Sequence, residues 1–332
     1  MRYEFTARTD RGRLRPNNED AAAFDRTTQL ALLADGMGGY NAGEVASAMA
    51  IATVRADIAQ WHAQAGPLAS AEAARAALQA SINHANQRIW HAARTQPGCA
   101  GMGTTFVAAL FVRRQLVLAH IGDSRCYRLR AGTLQQLTRD HSWLQEQIDA
   151  GLLTPAQAAT VGMRNLITRA LGSEPHAMAD INEFTVAAHD LYLLCSDGLT
   201  DMVADAELAE ILRAPMPLTE KAALLIDSAN AHGGRDNISV LLVQARPGAC
   251  RALGVESENA PRRDQFLPDS QPHSGAMGQE DGKKWAAAAH SQPTIPKPDR
   301  LLGARIGAKV AGAVRAKARA AKHGILTRWR SA

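Results

Sequence analysis

Short runs of apolar residues recur along the chain as far as residue 244, and most are bounded by glycine, aspartate or arginine. Runs of this length, rich in Val, Ile, Leu and Phe, predict β-strands. The predicted strands are residues 29–34, 104–112, 116–121, 191–195 and 238–244. The link between the second and the third, residues 113–115, is too short for a crossover helix, so these two strands are expected to form an antiparallel hairpin.

Longer segments with apolar residues at helical spacing separate several of these strands. In residues 43–64, for example, Ile51, Val54 and Ile58 recur on one face. The predicted helices are residues 43–64, 71–93, 142–150, 154–160, 205–213 and 218–232. Because strands and helices come in blocks, the pattern favours an α+β layered domain over alternating βαβ units.

The composition changes after residue 245, which divides the chain into three parts. Residues 1–245 form the predicted folded domain. Residues 246–298 are rich in Pro, Ser, Gly, Gln and Asp and predict a disordered linker. Residues 299–332 are rich in Ala, Arg and Lys and carry Leu302, Ile306 and Val310 on one face, which predicts a basic amphipathic helical tail.

Charge and cysteine content limit the compartment and the partners. The net charge of +5 is uneven, because residues 1–245 hold 21 Lys and Arg against 25 Asp and Glu. The slightly acidic domain argues against nucleic-acid binding there. The four scattered cysteines form no C-x-x-C pair, and no secretory signal or membrane-spanning run is evident. These features predict a cytoplasmic protein in a reducing compartment.

The basic tail leaves several alternatives open. Such a helix can lie on an anionic membrane surface, bind nucleic acid, dock on an acidic protein, or be solvated with no partner. Its apolar stripe is thin, so we expect at most weak contact with a membrane surface or an acidic protein. Such contact would place the protein peripherally at the inner membrane.

Five aspartates border the predicted strands or the turns beside them, and most have glycine as a neighbour. They are Asp20, Asp35, Asp123, Asp197 and Asp236. A single Asp-Gly pair is typical of an ordinary turn. Several carboxylates delivered to one sheet edge, however, repel one another unless a divalent cation neutralises them. Oxygen ligands without Cys or His favour Mg²⁺ or Mn²⁺, so the pattern predicts a metallohydrolase.

These aspartates belong to an ordered series of seven short motifs. The motifs are Gly12-x-x-Arg15-x-x-Asn18-Glu19-Asp20, Asp35-Gly36-Met37-Gly38-Gly39, Gly103-Thr104-Thr105, Gly122-Asp123-Ser124-Arg125, Asp140-His141-Ser142, Cys195-Ser196-Asp197-Gly198-Leu199 and Gly234-Arg235-Asp236-Asn237. In this order the series resembles the bacterial branch of the metal-dependent serine/threonine protein phosphatases of type 2C. The resemblance extends over about residues 2–245. It implies a four-layer α-β-β-α sandwich, in which two antiparallel sheets are flanked by helix pairs.

The resemblance also implies a role for each site residue. Asp35 would bridge two Mn²⁺ or Mg²⁺ ions, and Gly36 would bind one of them through its carbonyl. Asp197 and Asp236 would hold the other side of the pair, and Asp20 would contact metal-bound waters. The expected reaction is hydrolysis of phosphoserine and phosphothreonine by a metal-activated water, in opposition to bacterial serine/threonine kinases.

Two further expectations concern the phosphate and an additional ion. By resemblance, Arg15 would clamp the substrate phosphate, which suits a guanidinium because its donors fit two oxygens at once. Asp123, together with Asp197, matches the position that binds a third metal in bacterial members. The partners implied are phosphorylated proteins, with a kinase and its substrates among them.

The chain departs from the family pattern at two places. Met37 stands where eukaryotic members carry a histidine proposed to protonate the leaving group, so that role is unassigned. Val161-Gly162 replaces a His-Pro pair of some bacterial relatives, in a flap that affects substrate handling. His120, inside an apolar strand, is expected to be a packed residue. The alternative to an active enzyme is a pseudophosphatase that binds or regulates through the same fold.

Overall fold

The computed structural model describes residues 1–38, 42–66, 69–158 and 166–247. The predicted tail and all but the start of the predicted linker lie outside the described residues, as does the Val161-Gly162 pair.

The strands of the described residues form two antiparallel sheets. Their bounds are β1 (Arg2–Asp10), β2 (Asp20–Asp25), β3 (Leu30–Met37), β4 (Gly103–Thr104), β5 (Phe106–Val112), β6 (Gln115–Ile121), β7 (Arg125–Arg130), β8 (Thr133–Gln136), β9 (Asp180–Thr185), β10 (Leu191–Cys195) and β11 (Ile238–Arg246). One sheet has the order β1-β11-β10-β7-β8, and the other has the order β2-β3-β5-β6-β9, with β4 paired to β3. The predicted hairpin is confirmed, since Phe106 to Val112 pair antiparallel with Ile121 to Gln115.

The helices follow the apolar periodicity closely. Their bounds are α1 (Gly43–Ala65), α2 (Ala71–Thr95), α3 (Trp143–Asp149), α4 (Pro155–Ala158), α5 (Asp197–Thr200), α6 (Asp205–Arg213) and α7 (Leu218–Ala231). The start of α2 is fixed by an N-cap, where the Ser70 side chain accepts a hydrogen bond from the Ala73 N–H.

Three apolar layers hold the fold together. The first packs α1 and α2 against the sheet of β3, β5 and β6, with Ile58, Ile82 and Leu110 fully buried. The second packs α6 and α7 against the other sheet. The third lies between the two sheets and includes Phe111 and Tyr192. Three cores between four layers confirm the predicted α-β-β-α sandwich.

Strands β1, β2, β7, β8 and β9 were not predicted, because none of them is a continuous apolar run. Strand β2 reads Asp-Ala-Ala-Ala-Phe-Asp and β9 reads Asp-Ile-Asn-Glu-Phe-Thr, so neither shows a strong apolar run. Both lie at the edge of their sheet, where one flank needs no apolar partner. The predicted strand 104–112 is also divided in two, because the Thr105 N–H donates to the Asp35 carbonyl instead of continuing the ladder.

Candidate metal centre

Asp35 and Asp20 are presented side by side by two paired strands. In the register of β2 and β3 the two residues lie directly opposite each other. The sequence pattern placed Asp35 after a strand, but it lies inside β3. Its backbone is held at three points: its N–H donates to Thr105 Oγ1 (3.1 Å), and its carbonyl accepts from Thr104 Oγ1 (2.8 Å) and from the Thr105 N–H (2.9 Å). The backbone that carries the Asp35 carboxylate is therefore fixed in place.

The other three aspartates arrive from separate elements. Asp123 follows the end of β6 and is 7% exposed. Asp197 opens the short helix α5 two residues after the end of β10, and Asp236 precedes β11. The pKa of Asp35 is raised well above its usual value, first by burial and then by the charges of Asp20, Asp197, Asp123 and Asp236. All five predicted aspartates thus meet at one site.

Close backbone contacts around the site require glycine. A Cβ on Gly198 would overlap the carbonyl of Asn237, so the loop of Asp236 and the turn of Asp197 are pressed together. A Cβ on Gly36 would overlap the carbonyl of Gly43, where α1 begins. The glycines of the motifs therefore allow the carboxylate-bearing segments to approach one another.

Three of the carboxylate oxygens at this site lack hydrogen-bond donors. Asp20 Oδ1, Asp123 Oδ1 and Asp197 Oδ1 are buried with no hydrogen-bond partner. Burial raises the pKa of Asp20 and that of Asp123 to about 6 in each case, and it raises the pKa of Asp197 well above its usual value. Such a cluster is unfavourable by itself, but it is the donor set that hard divalent cations prefer. The residues therefore fit the expected metal ions.

Arg15 lies at the exposed rim of this cluster. One Nη atom is 2.6 Å from Asp236 Oδ2, and the Arg15 side chain is 53% exposed. A guanidinium carries five N–H donors, so this one contact leaves others directed to solvent. The predicted phosphate-binding residue is thus beside the carboxylates, with donors available to an anion.

Two polar residues that the sequence reasoning did not single out hold the carboxylates in place. Ser196 Oγ donates to Asp20 Oδ2 (2.8 Å) and accepts from the Ser239 N–H (3.0 Å). Asn237 Oδ1 accepts from the Glu19 N–H (2.8 Å), which ties the Asp236 loop to the segment before β2. Both residues are adjacent in sequence to predicted metal ligands, and this adjacency is the feature of the sequence that could have pointed to them.

The buried cysteines offer no nucleophile. Cys99, Cys126 and Cys195 are free and buried, and burial raises the pKa of Cys195 to about 12. A thiol with such a pKa is protonated at neutral pH and cannot attack phosphorus.

Fold and site together define a class of protein: a β-sandwich with an all-oxygen site for divalent cations.

Comparison with known proteins supplies the family. The family model for protein phosphatase 2C matches residues 13–229. The serine/threonine phosphatase of Listeria innocua is 42% identical over 247 residues, which cover 74% of this chain and 96% of the relative. Protein phosphatase PhpP of Streptococcus pneumoniae is 36% identical over 245 residues, covering 72% of this chain and 96% of the relative.

Solved structures agree with this result. The serine/threonine phosphatase of Mycobacterium tuberculosis superposes with a TM-score of 0.68 at 39% identity, covering 74% of this chain and 100% of that one. A catalytic domain of the protein called PstP, in complex with two manganese ions, gives a TM-score of 0.65 at 39% identity, covering 74% of this chain and 99% of that one. The chain belongs to the protein phosphatase 2C family of metal-dependent serine/threonine phosphatases.

In the part of the chain that the structure describes, no helix is both long enough and apolar enough to cross a membrane.

Proposed function

We propose that Asp35, Gly36, Asp197 and Asp236 would hold a pair of Mn²⁺ or Mg²⁺ ions, with the Asp20 carboxylate beside them. Asp123 and Asp197 hold a third ion. The site hydrolyses phosphoserine and phosphothreonine in proteins, in opposition to serine/threonine kinases. The observation that carries this proposal is the set of buried carboxylate oxygens on Asp20, Asp123 and Asp197 that have no hydrogen-bond donor.

The metal pair, when bound, supplies Lewis acidity and a water of lowered pKa. The chain's own residues supply the remaining functions. Arg15 binds two oxygens of the phosphate and neutralises their charge, since its exposed donors face the rim of the cluster. Asp20 accepts from Ser196 at one carboxylate oxygen and directs the other into the site.

Met37 provides no proton donor for the leaving group. A thioether carries no proton, so Met37 cannot protonate the leaving alkoxide. It extends from β3 two residues beyond Asp35, on the same face of the strand. Its place at the border of the site favours contact with the substrate's peptide rather than proton transfer.

The test uses a phosphothreonine peptide and p-nitrophenyl phosphate with Mn²⁺, with and without a chelator. Wild type is expected to hydrolyse both only with the metal, and Asp35→Ala to lose both activities. Asp227→Ala, an exposed aspartate on α7, is the matched control and should retain them. A wild type without metal-dependent turnover would indicate the alternative, a pseudophosphatase that binds through the same fold.

The basic tail, residues 299–332, lies outside the described residues, and its role is part of the proposal. We assign it weak contact with an anionic membrane surface or an acidic protein, which would hold the phosphatase near its substrates. Deletion of residues 299–332 is then expected to change the protein's localisation or the proteins that copurify with it. Unchanged localisation and unchanged partners would exclude this role.

A further inference from the structure

Two stacked histidines lie behind Asp123 and outside the carboxylate cluster. The rings of His120 and His141 are 4.7 Å apart and inclined by 21°. Their exposed fractions are 1% and 6%, so both are in the protein interior. His120 Nε2 is 2.8 Å from the Arg139 carbonyl, to which it donates. The pair is therefore a buried, hydrogen-bonded part of the structure next to the loop that carries Asp123.

His141 is bonded twice to the residue directly before Asp123. The backbone N–H of Gly122 donates to the ring nitrogen Nδ1 of His141 (3.1 Å), and the backbone N–H of His141 donates to the Gly122 carbonyl (2.9 Å). Gly122 has a φ of +101°, and a Cβ there would overlap Thr105. The backbone turn that aims Asp123 is therefore held from both sides, by Thr105 and by His141.

The hydrogen bond from Gly122 defines the tautomer of His141. A ring nitrogen that accepts a hydrogen bond has a lone pair, so Nδ1 is unprotonated and Nε2 of the neutral ring carries the proton. Burial, and then the neighbouring His120, lower the pKa of His141, which keeps the ring neutral. The Asp180 carboxylate, 3.5 Å from Nε2, lies on the donating side.

The same residues could be read as a separate metal site, because one ligand atom from each of His120, His141 and Asp180 lies within 4.8 Å of the others. The contacts argue against that reading. His141 Nε2 carries the proton and has no lone pair for a metal, and the positive charge of the Arg169 guanidinium, 3.5 Å away, would repel a cation there. The two ring planes are also inclined by only 21° and their centroids are 4.7 Å apart, so in-plane lone pairs on the two rings do not converge on one nearby point.

His141 also contacts the segment that follows residues 159–165. The Thr168 N–H donates to the His141 carbonyl (2.9 Å), and Ser142 forms a β-bridge with Ile167. One short stretch of chain thus touches both the turn of Asp123 and residues 166–169. This places His141 between two parts of the domain that are distant in sequence.

We propose that His141 is a positioning residue: its neutral ring accepts the Gly122 N–H and thereby aims the Asp123 carboxylate at the third cation. The inference rests on the proposed role of Asp123. It adds that affinity at the third site depends on one acceptor atom in this ring, at the position of Nδ1.

The test replaces the ring by two amides that differ in which ring nitrogen they imitate. In His141→Asn the amide oxygen lies near the place of Nδ1 and can accept from Gly122, whereas the amide of His141→Gln reaches the place of Nε2. Binding of Mn²⁺ alone to the full chain is measured by calorimetry. We expect His141→Gln to weaken the third site about tenfold, the usual loss for a group that orients a ligand, and His141→Asn to stay near wild type.

Asp123→Asn separates failure of the inference from failure of the site. It should remove one Mn²⁺ from the stoichiometry, and adding His141→Gln to it should change nothing further. If Asp123→Asn binds as many ions as wild type, the third-cation assignment fails and the inference fails with it. If Asp123→Asn loses an ion but His141→Asn and His141→Gln behave alike, only the role of His141 is overturned.

A measurement on the wild type needs no variant to fold. Nitrogen-15 NMR of the histidine rings, in metal-free protein and with Mg²⁺ as a diamagnetic ion, reports the tautomer of His141. The Nε2–H tautomer is the predicted result. A proton on Nδ1, or a ring bound to metal, would overturn the proposal.

Discussion

Buried aspartates occur in two different environments in this domain: Asp190, which has several hydrogen-bond donors, and the aspartates of the carboxylate cluster, which have few. Asp190 is 1% exposed and accepts hydrogen bonds from four donors. The donors are Arg130 Nε (2.7 Å), Arg130 Nη2 (2.6 Å), the Ala187 N–H (2.8 Å) and Tyr192 Oη (3.0 Å). Burial alone would raise the pKa of Asp190, but these bonds together outweigh it and hold the pKa below its usual value.

In the carboxylate cluster the balance is reversed. Burial and then the charges of Asp20 and Asp197 raise the pKa of Asp35, and burial and then the charges of Asp123 and Asp201 raise the pKa of Asp197. Asp197 Oδ1 has no hydrogen-bond donor. A buried carboxylate that the protein satisfies fully stabilises the fold, whereas one left unsatisfied indicates a ligand site. The two groups should therefore respond to substitution in opposite ways.

The largest expected effect is loss of activity in Asp35→Asn. Metal ions contribute several kcal/mol of transition-state stabilisation, so removing the Asp35 charge from the proposed metal site should lower kcat/KM at least about a thousandfold. The same change should raise the unfolding midpoint of the metal-free protein, because it removes repulsion within the cluster. Phosphopeptide kinetics and thermal unfolding in a chelator measure the two effects. A metal-free midpoint below that of wild type would contradict the comparison.

Asp190→Ala should show the opposite pair of effects. Removing one partner from a buried ion pair destabilises a protein by about 3 kcal/mol or more; because Arg130 is partly exposed, we expect the low end of that range here. Activity per folded molecule at 25 °C should be retained. Urea unfolding, together with kinetics well below the transition, tests both. Loss of activity without loss of stability would show that Asp190 serves the reaction, like the aspartates of the carboxylate cluster, and not the stability of the fold.

Arg15→Ala sharpens the comparison at the rim of the site. Loss of charge-assisted hydrogen bonds to the phosphate costs about 1.5–3 kcal/mol, or roughly ten- to a hundredfold in kcat/KM. Arg75→Ala, an exposed arginine on α2, is the matched control. Inhibition by inorganic phosphate should weaken in parallel for Arg15→Ala. Unaltered phosphate inhibition would remove Arg15 from the binding site.

The smallest effect concerns the dependence of stability on pH. Asp20 and Asp123 have folded pKa values of about 6, above the ordinary value of 3.8, so the folded state binds more protons between these limits. Their contribution to stability is complete below about pH 4 and is lost as the pH rises through 6. Unfolding midpoints of metal-free protein from pH 4.5 to 7.5 should therefore fall. In Asp20→Asn the fall should be smaller, and an unchanged slope would contradict the raised pKa.

Most of the architecture and all five aspartates could be predicted from the chain, because strong apolar runs end close to the acidic motifs. Strands β1, β2, β7, β8 and β9 could not, since none of them is a continuous apolar run. The partners of each carboxylate were also out of reach. Ser196 joins Asp20 across 176 positions and Arg130 joins Asp190 across 60, and only the folded chain brings these pairs together.

The central claim is that unsatisfied carboxylates mark the metal site. A titration with Mn²⁺, in which the unfolding midpoint is measured at each concentration at pH 7, tests it directly. Ions that bind only the folded state raise the midpoint, and they raise it more the more tightly they bind. The midpoint should rise with Mn²⁺ in wild type and in Asp190→Ala, and far less in Asp35→Asn. An increase in Asp35→Asn equal to that of wild type would show that the ions bind elsewhere.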